Sequence, residues 1–190
     1  MKSVLISIQP KWCELIASGK KTVEVRKTRP KIETPFKCYI YCTNTKTMGD
    51  LILCKSKENA DLFGYNSVKG INKGFAEIGD IQLKGKVIGE FVCDYIEDFK
   101  EFEYGIDALH RHIKLNACIG YDEIYKYLGF EKCGCGWHIS DLVIYEQPKE
   151  LREFCRYDNT YDNAFGYAFE DRSKYVPIKR PPQSWCYVDG

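Results

Sequence analysis

The stretch IQPKWCELIASGKKTVEVR, residues 8–26, predicts the end of a strand, a short helix and a second strand in immediate succession. A proline begins the helix, at a position where its missing N–H is not needed. Trp12 shares one face of that helix with Leu15 and Ile16, which follow it by three and four residues. Gly19 comes after the helix as a left-handed C-cap. The stretch therefore predicts the order strand, helix, tight turn and charged strand.

Residues 22–26 alternate between polar and apolar side chains, as a strand with one buried face does. Two valines occupy the face expected in the core, so Glu24 and Arg26 lie side by side on the other face. Lys21 precedes the strand, and its flexible stem can reach the same opening. We therefore expect Lys21, Glu24 and Arg26 to line one partly exposed depression beside a helix at 11–18. The simpler alternative is an exposed Glu24–Arg26 ion pair of little energetic value.

The rest of the chain is dominated by short strand patterns. Further strands are predicted at 4–9, 36–43, 51–54, 86–95, 137–145 and 185–188, and a second helix at 121–128. Strand 51–54 is expected to form a hairpin with strand 36–43. Strands 3–9 and 22–26 are expected to belong to one mostly antiparallel sheet.

This pattern predicts an α+β fold that is mainly β, with a small β-barrel and peripheral short helices. The length of 190 residues favours a single domain that covers residues 1–190. Residues around 55–84 interrupt the strand pattern as a polar, glycine-rich insertion. Residues around 152–178 form an excursion that is rich in aromatic side chains.

The charge is unevenly distributed, although the formal net charge is only +1. Residues 1–37 contain nine Lys or Arg and three Glu, which gives a local charge of +6. Two interpretations are open: a surface that binds an anionic partner, or a basic edge that is only solvated.

Ten cysteines raise the question of disulfides or a metal site. The chain has no segment typical of a secretory signal and none long enough to cross a membrane, so we expect a reduced, cytoplasmic protein with few or no disulfides. Cys133 and Cys135 are separated by a single residue, which is closer than zinc ligands normally are. We therefore expect no bound metal, and we expect no cofactor.

The N-terminal motif resembles that of the ASCH domain, a branch of the PUA-like superfamily. The family pattern is a strand, Gln-Pro, a helix, Gly-x-Lys and then Glu-x-Arg on the next strand, and residues 8–26 match each position. Three later segments, GKVIGEFVCD (85–94), GWHISDLVIY (136–145) and RPPQSWCYV (180–188), resemble versions found in phage and prophage genes. The resemblance implies a PUA-like small β-barrel with a cleft beside the first helix, and a nucleic-acid or nucleoside-like ligand.

We therefore predict a module that binds RNA, another single-stranded nucleic acid or a nucleotide-like ligand at a basic cleft. Glu24 and Trp137 would help to hold a base, by a hydrogen bond and by stacking. The side chains expected to contact phosphates are those of Lys20, Lys21, Arg26, Lys27 and Arg29. The oligomeric state is left open.

Two other classes of function are open. One is a hydrolase on the same cleft, either a ribonuclease or a nucleoside amidohydrolase, with Lys21 and Glu24 as catalytic groups. A superfamily branch that hydrolyses an acylated cytidine has a lysine in the Gly-x-Lys position and a threonine three residues later, where this chain has Glu24. The other class is a protein-interaction module that uses the Tyr- and Phe-rich residues 157–175.

Overall fold

A computed structural model describes residues 2–44, 52–53, 81–100, 115–129, 133–157 and 175–189. Most of the predicted insertion at 55–84, and most of the excursion at 152–178, lies outside these ranges. The described strands are β1 (Lys2–Ile8), β2 (Val23–Arg26), β3 (Phe36–Cys42), β4 (Ile52–Leu53), β5 (Ile81–Gln82), β6 (Lys86–Cys93), β7 (Ile96–Lys100), β8 (Cys133–His138), β9 (Ser140–Glu150), β10 (Cys155–Tyr157), β11 (Tyr175–Pro177) and β12 (Trp185–Asp189). The helices include α1 (Pro10–Ala17), α2 (Tyr121–Leu128) and one 3₁₀ turn, Leu151–Glu153.

The largest sheet has five strands in the order β12-β1-β3-β6-β9. The β1–β3 pair is parallel, and the other three pairs are antiparallel. Strand β1 is buried along almost its whole length, with apolar residues on both faces. One face of the sheet packs on α1 and β8 in the main core, and the other face packs on the 3₁₀ turn and Ile178. A sheet covered on both sides explains why β1 is a continuous apolar run.

A second sheet has three strands in the order β2-β8-β7. Strands β6 and β7 follow each other with a short bend at residues 94–95, and β8 and β9 follow each other with a bend at Ile139. Strand β6 pairs with β9 in the first sheet, and β7 pairs with β8 in the second. The segment β6–β7 and the segment β8–β9 therefore each pass from one sheet into the other. The predicted single strand at 137–145 is therefore two strands that belong to different sheets.

The predicted mainly-β α+β class is confirmed. The expectation that the first two strands share a sheet is wrong, because β2 pairs with β8 and β1 pairs with β3 and β12. The predicted hairpin is also wrong: β4 pairs with β5, and β3 has β1 and β6 as neighbours. The described strands form four separate sheets, and among them closure into a barrel is not shown.

The turn that ends α1 brings the chain directly into the charged strand. Gly19 has φ +71°, the left-handed conformation predicted for it. Its N–H donates to the carbonyl of Ile16 at 2.8 Å, and the N–H of Lys20 donates to the carbonyl of Leu15 at 3.0 Å. These two bonds are those of a Schellman motif, which satisfies the last carbonyls of a helix. None of the helices in the described ranges is long and apolar enough to cross a bilayer.

Candidate functional site

A cavity of about 620 Å³ opens where the end of β1 meets α1, β2, α2 and the segment 182–184. This volume is in the range of pockets that hold small organic ligands. Its wall includes the motif residues Lys21, Glu24 and Arg26 together with the aromatic rings of Trp12 and Tyr127.

The orientation of β2 decides which side chains reach this cavity. In the antiparallel pairing of β2 with β8, Glu24 lies opposite Trp137 and Arg26 lies opposite Cys135. Both partners on β8 are buried members of the main core. The charged face of β2 is therefore the face turned towards the interior of the fold. The valine face packs on a smaller apolar cluster that includes Ala117 and residues of α2.

Lys21 is fully engaged by neighbouring groups. Its ammonium donates hydrogen bonds to the carbonyl oxygens of Val23 and Ala117, both at 2.8 Å. The Glu24 carboxylate lies 3.3 Å from the same nitrogen. An ammonium has three N–H groups and no acceptor, so three acceptors around it use its whole capacity.

Arg26 is held by contacts from three directions. Its Nη2 lies 2.9 Å from the Glu24 carboxylate and donates to the Ser7 carbonyl at 2.6 Å. Its Nη1 donates to the Ser184 hydroxyl at 3.4 Å. Its Nε is buried and finds no hydrogen-bond partner among the described residues, and neither does the hydroxyl oxygen of Thr43 on the same cavity wall. The three charged groups together give the cavity floor a net charge of +1.

The segment 182–184 is fixed to β1 through Ser7. The Ser7 hydroxyl donates to the Pro182 carbonyl at 2.7 Å, and the Ser7 N–H donates to the Ser184 carbonyl at 2.9 Å. These bonds hold residues far apart in sequence against the end of β1. The segment thereby becomes a fixed wall of the cavity.

Helix α2 supplies the opposite side of the opening with Glu123, Lys126 and Tyr127. Glu123 pairs with Lys11 of α1 at 2.7 Å, and both side chains are largely exposed. The ammonium nitrogen of Lys27 lies over the Tyr127 ring, 5.5 Å from the ring centroid. Burial raises the pKa of the Tyr127 hydroxyl, while the nearby Arg26 guanidinium acts to lower it. The hydroxyl is therefore neutral at physiological pH.

The model of the ASCH domain family matches residues 6–168 of the chain. The chain belongs to the ASCH domain family. The match covers the cavity residues of β1, α1, β2 and α2, and it ends before the segment 182–184. No curated protein sequence shows significant similarity to the chain.

Solved structures of an ASCH protein from Zymomonas mobilis are similar to this ASCH domain. One matches with a TM-score of 0.55 and 16% identity, over 98% of this chain and 87% of the other. A serine-to-alanine variant of the same protein matches with the same TM-score and identity, over 98% and 88% of the two chains. A tyrosine-to-phenylalanine variant also has a TM-score of 0.55 and 16% identity, over 100% and 91%. At this identity the similarity shows a common fold.

The motif residues of this ASCH domain line one cavity, but the expectation of a partly exposed depression is wrong for these side chains, which are buried. Lys21, Glu24 and Arg26 have relative exposures of only 3%, 5% and 6%. Alternation does turn Glu24 and Arg26 away from the valine face. The physical reason is that both faces of β2 are covered: α2 covers the valine face, and the main core covers the other.

Trp137 does not face the cleft, so its expected place in the ligand site is wrong. Its side chain is completely buried, packs edge-on against Phe36 at 5.8 Å between ring centroids, and lies 6.0 Å from Trp185. Its ring N–H points to the sulfur of Cys135 at 3.3 Å. Alternation along β8 turns Trp137 inward and leaves the partly exposed His138 on the opposite face.

The remaining predicted phosphate contacts, Lys20, Lys27 and Arg29, are exposed and do not line the cavity. The ammonium of Lys27 lies over the ring of Tyr127, which does line the cavity. Arg29 is paired with Asp98 at 3.0 Å. The structure therefore brings the three buried motif residues together and leaves these three cations outside the wall.

Several lining residues were not predicted from the sequence, among them Ser7, Gln9, Tyr127, Gln183 and Ser184. For α2 a signal existed: Glu123, Lys126 and Tyr127 are spaced three and four apart and so share one helix face. The segment 182–184 gave no such signal, because only its pairing with β1 brings it to the cavity.

The described residues hold no group of three or more His, Cys, Asp or Glu side chains that could bind a metal ion. The cysteines with described surroundings are free thiols: Cys13, Cys38, Cys42, Cys93, Cys118, Cys135, Cys155 and Cys186. The absence of zinc and the cytoplasmic location stay predictions.

Proposed function

We propose that this ASCH domain binds single-stranded RNA or a nucleotide-like ligand by taking one nucleotide into the cavity of about 620 Å³. ASCH domains are in general regarded as RNA-binding. The observation that carries the proposal for this chain is the cavity wall, which includes the rings of Trp12 and Tyr127 and the exposed Lys126. Aromatic rings stack on bases, and lysines neutralise phosphates.

The buried charges support this function through their field. Lys21 and Arg26 carry two positive charges and Glu24 one negative charge, and all three are shielded from water. A net positive charge in a poorly solvated cavity attracts an anionic ligand more strongly than the same charge on the surface. Direct phosphate contacts fall to Lys126, which lines the cavity, and to Lys27, whose ammonium lies 5.5 Å from the centroid of the Tyr127 ring.

The contacts of Lys21 favour binding over a lysine-centred hydrolase. A nucleophilic or basic lysine needs a free lone pair. The Lys21 nitrogen instead donates to two carbonyls and faces the Glu24 carboxylate, which is the environment of a protonated ammonium. Glu24 in turn has a cation at each carboxylate oxygen. The protein-interaction hypothesis rests on residues 157–175, which lie almost entirely outside the described ranges.

Binding of a labelled short single-stranded RNA, measured by fluorescence anisotropy, tests the proposal. Tyr127→Ala should weaken binding by about 1–3 kcal/mol, the loss of one stacked base. Tyr95→Ala is the matched control, because Tyr95 is 43% exposed against 37% for Tyr127 and does not line the cavity. Equal affinity of the two variants would contradict binding in this cavity.

The salt dependence provides a second readout. Lys126→Ala should reduce the slope of log affinity against log salt by about 0.7, the contribution of one phosphate contact to a single strand. Lys2→Ala removes the same charge at the start of β1, roughly 17 Å from Ser7 at the usual rise per residue, and should leave the slope unchanged. A wild-type affinity that does not depend on salt would remove the phosphate contacts from the proposal.

A further inference from the structure

Two carboxamide side chains on the cavity wall have no hydrogen-bond partner among the described residues. Gln9 stands at the N-cap of α1, but its side chain makes no capping hydrogen bond. Gln183 lies between Pro182 and Ser184, whose carbonyls are both bound by Ser7. Its backbone is therefore fixed while its amide is free. Both residues line the cavity and are exposed to solvent.

The charged groups of the wall are largely engaged, although the buried Nε of Arg26 and the hydroxyl of Thr43 lack a hydrogen-bond partner among the described residues. Glu24 pairs with Lys21 and Arg26, Lys21 also donates to two carbonyls, and Glu123 is paired with Lys11. Lys126 can only donate. The carboxamides of Gln9 and Gln183 differ from all of these, because each presents a donor and an acceptor side by side in one plane.

That chemistry distinguishes between the two halves of a nucleotide. A phosphate offers only acceptors at neutral pH, so a pocket for it needs donors and has no use for amide carbonyls. A nucleobase edge is planar and carries donors and acceptors next to each other, and glutamine is one of the side chains that bind it in pairs of hydrogen bonds. Two free carboxamides therefore suit a base better than a phosphate.

We propose that the base of the bound nucleotide enters the cavity, that Gln9 and Gln183 determine which base is preferred, and that the phosphate stays at the opening near Lys126. This inference rests on the function proposed above and adds a chemical assignment to it. The free amides hydrogen-bond the base edge, and the ring of Tyr127 or Trp12 covers its face. Gln9 and Gln183 are then specificity-determining residues, and the buried charge cluster is the floor beneath the base.

A panel of AMP, GMP, CMP, UMP and ribose 5-phosphate, titrated by calorimetry against the full chain, tests this assignment. We expect the tightest and the weakest nucleotide to differ by about fivefold or more, and ribose 5-phosphate to bind more weakly than the tightest nucleotide. Gln183→Glu and Gln9→Glu replace the amide donor by an acceptor of the same shape. Each should change the ratio between bases by about fivefold.

Gln147→Glu is the matched control, because Gln147 is exposed on β9 and does not line the cavity. It adds the same charge and should leave the ratio between bases unchanged. Ratios are compared because a uniform loss of affinity from the added charge cancels in them. Gln183→Ala, which adds no charge, should likewise reduce the discrimination between bases.

The outcomes separate this inference from the proposed function. If short RNA binds but all four nucleotides and ribose 5-phosphate bind equally, the base assignment is overturned and RNA binding stands. The same holds if base ratios are unchanged in both glutamate variants. If neither RNA nor any nucleotide binds, both proposals are overturned.

Discussion

The carboxylate of Glu24 lies 2.9 Å from the guanidinium of Arg26, two residues further along β2, and both side chains are only 7% exposed. The other carboxylate oxygen lies 3.3 Å from the ammonium of Lys21. The charged motif is thus an internal ion cluster rather than a surface pair. Substitutions within this cluster should therefore lower the stability of the fold, whatever their effect on ligand binding.

Replacement of Glu24 by Gln should strongly destabilise the protein. It leaves Lys21 and Arg26 as two buried like charges without their common anion. Breaking a buried ion pair by removing one partner typically costs about 3–5 kcal/mol. The free energy of unfolding in urea, compared with that of the wild type, measures this effect.

The matched control is Glu123→Gln, which removes a carboxylate from the ion pair with Lys11. Those side chains are 53% and 40% exposed, so the expected cost is below about 1 kcal/mol. Similar losses of unfolding free energy in both variants would show that the Glu24 cluster is solvated.

Arg26→Ala would also leave Glu24 without one of its two cations. A loss of RNA binding in that variant would therefore not show that Arg26 contacts the RNA.

Gly19 should tolerate substitution only by residues that adopt the left-handed conformation. Its φ is +71°, and an added Cβ would meet no atom within 4 Å, so the cost is one of backbone strain alone. Gly19→Ala should lower the free energy of unfolding by about 1–2 kcal/mol. Gly19→Asn should cost less, because asparagine visits this region more readily. Urea unfolding measures the stability of the two variants. A Gly19→Asn variant that is no more stable than Gly19→Ala would refute this explanation.

The stability contributed by Glu90 should depend on pH. Its carboxylate accepts hydrogen bonds from Lys37, at 2.7 Å, and from the Tyr145 hydroxyl. Burial acts to raise the pKa of Glu90, but these hydrogen bonds outweigh it and hold the pKa below its ordinary value of 4.5. A carboxyl with a lowered folded-state pKa stabilises the fold above its unfolded pKa, and this contribution disappears as the pH falls through the folded value.

The difference in unfolding free energy between the wild type and Glu90→Gln should therefore be larger at about pH 7 than at about pH 3. Urea unfolding at the two pH values measures it. A difference that is independent of pH would mean that the ionised carboxylate makes no net contribution.

The core thiols should be chemically inert in the native state. Cys13, Cys38, Cys42, Cys93 and Cys135 are all buried. Burial raises the pKa of the Cys93 thiol to about 12, and thiols react as thiolates. Titration with a thiol reagent should find these five unreactive until the protein is unfolded. Rapid native reaction of all cysteines would contradict the burial, and fewer than ten thiols in denaturant would reveal disulfides.

The sequence predicted the local elements around the cavity well. Pro10, the apolar spacing of Trp12 and Ile16, and Gly19 place α1 and its Schellman turn where the structure has them. The helix at 121–128 has the predicted bounds, and Gly129 after it has φ +79°. These features depend on backbone preferences and on contacts within a few residues, which a single sequence displays directly.

Sheet membership could not be predicted in the same way. Alternation in β2 is the same whether its partner is β1 or β8, and nothing local distinguishes the two pairings. Likewise, the continuous pattern at 137–145 hides the bend at Ile139, where the chain leaves one sheet for the other. Pairing between strands far apart in sequence depends on which helices and strands cover the two faces of every sheet, and local sequence does not contain that information.

The sequence by itself indicated that Lys21, Glu24 and Arg26 come together within six residues: strand alternation puts Glu24 and Arg26 on one face, and the flexible stem of Lys21 reaches the same place from the tight turn. Only the tertiary structure decided that this face points inward. The reason is that a strand has two faces, and α2 covers the valine face of β2 while β8 turns the other towards the core. The same packing placed Trp137 in the interior and brought Tyr127 and Gln183 to the cavity, through contacts between residues far apart in sequence.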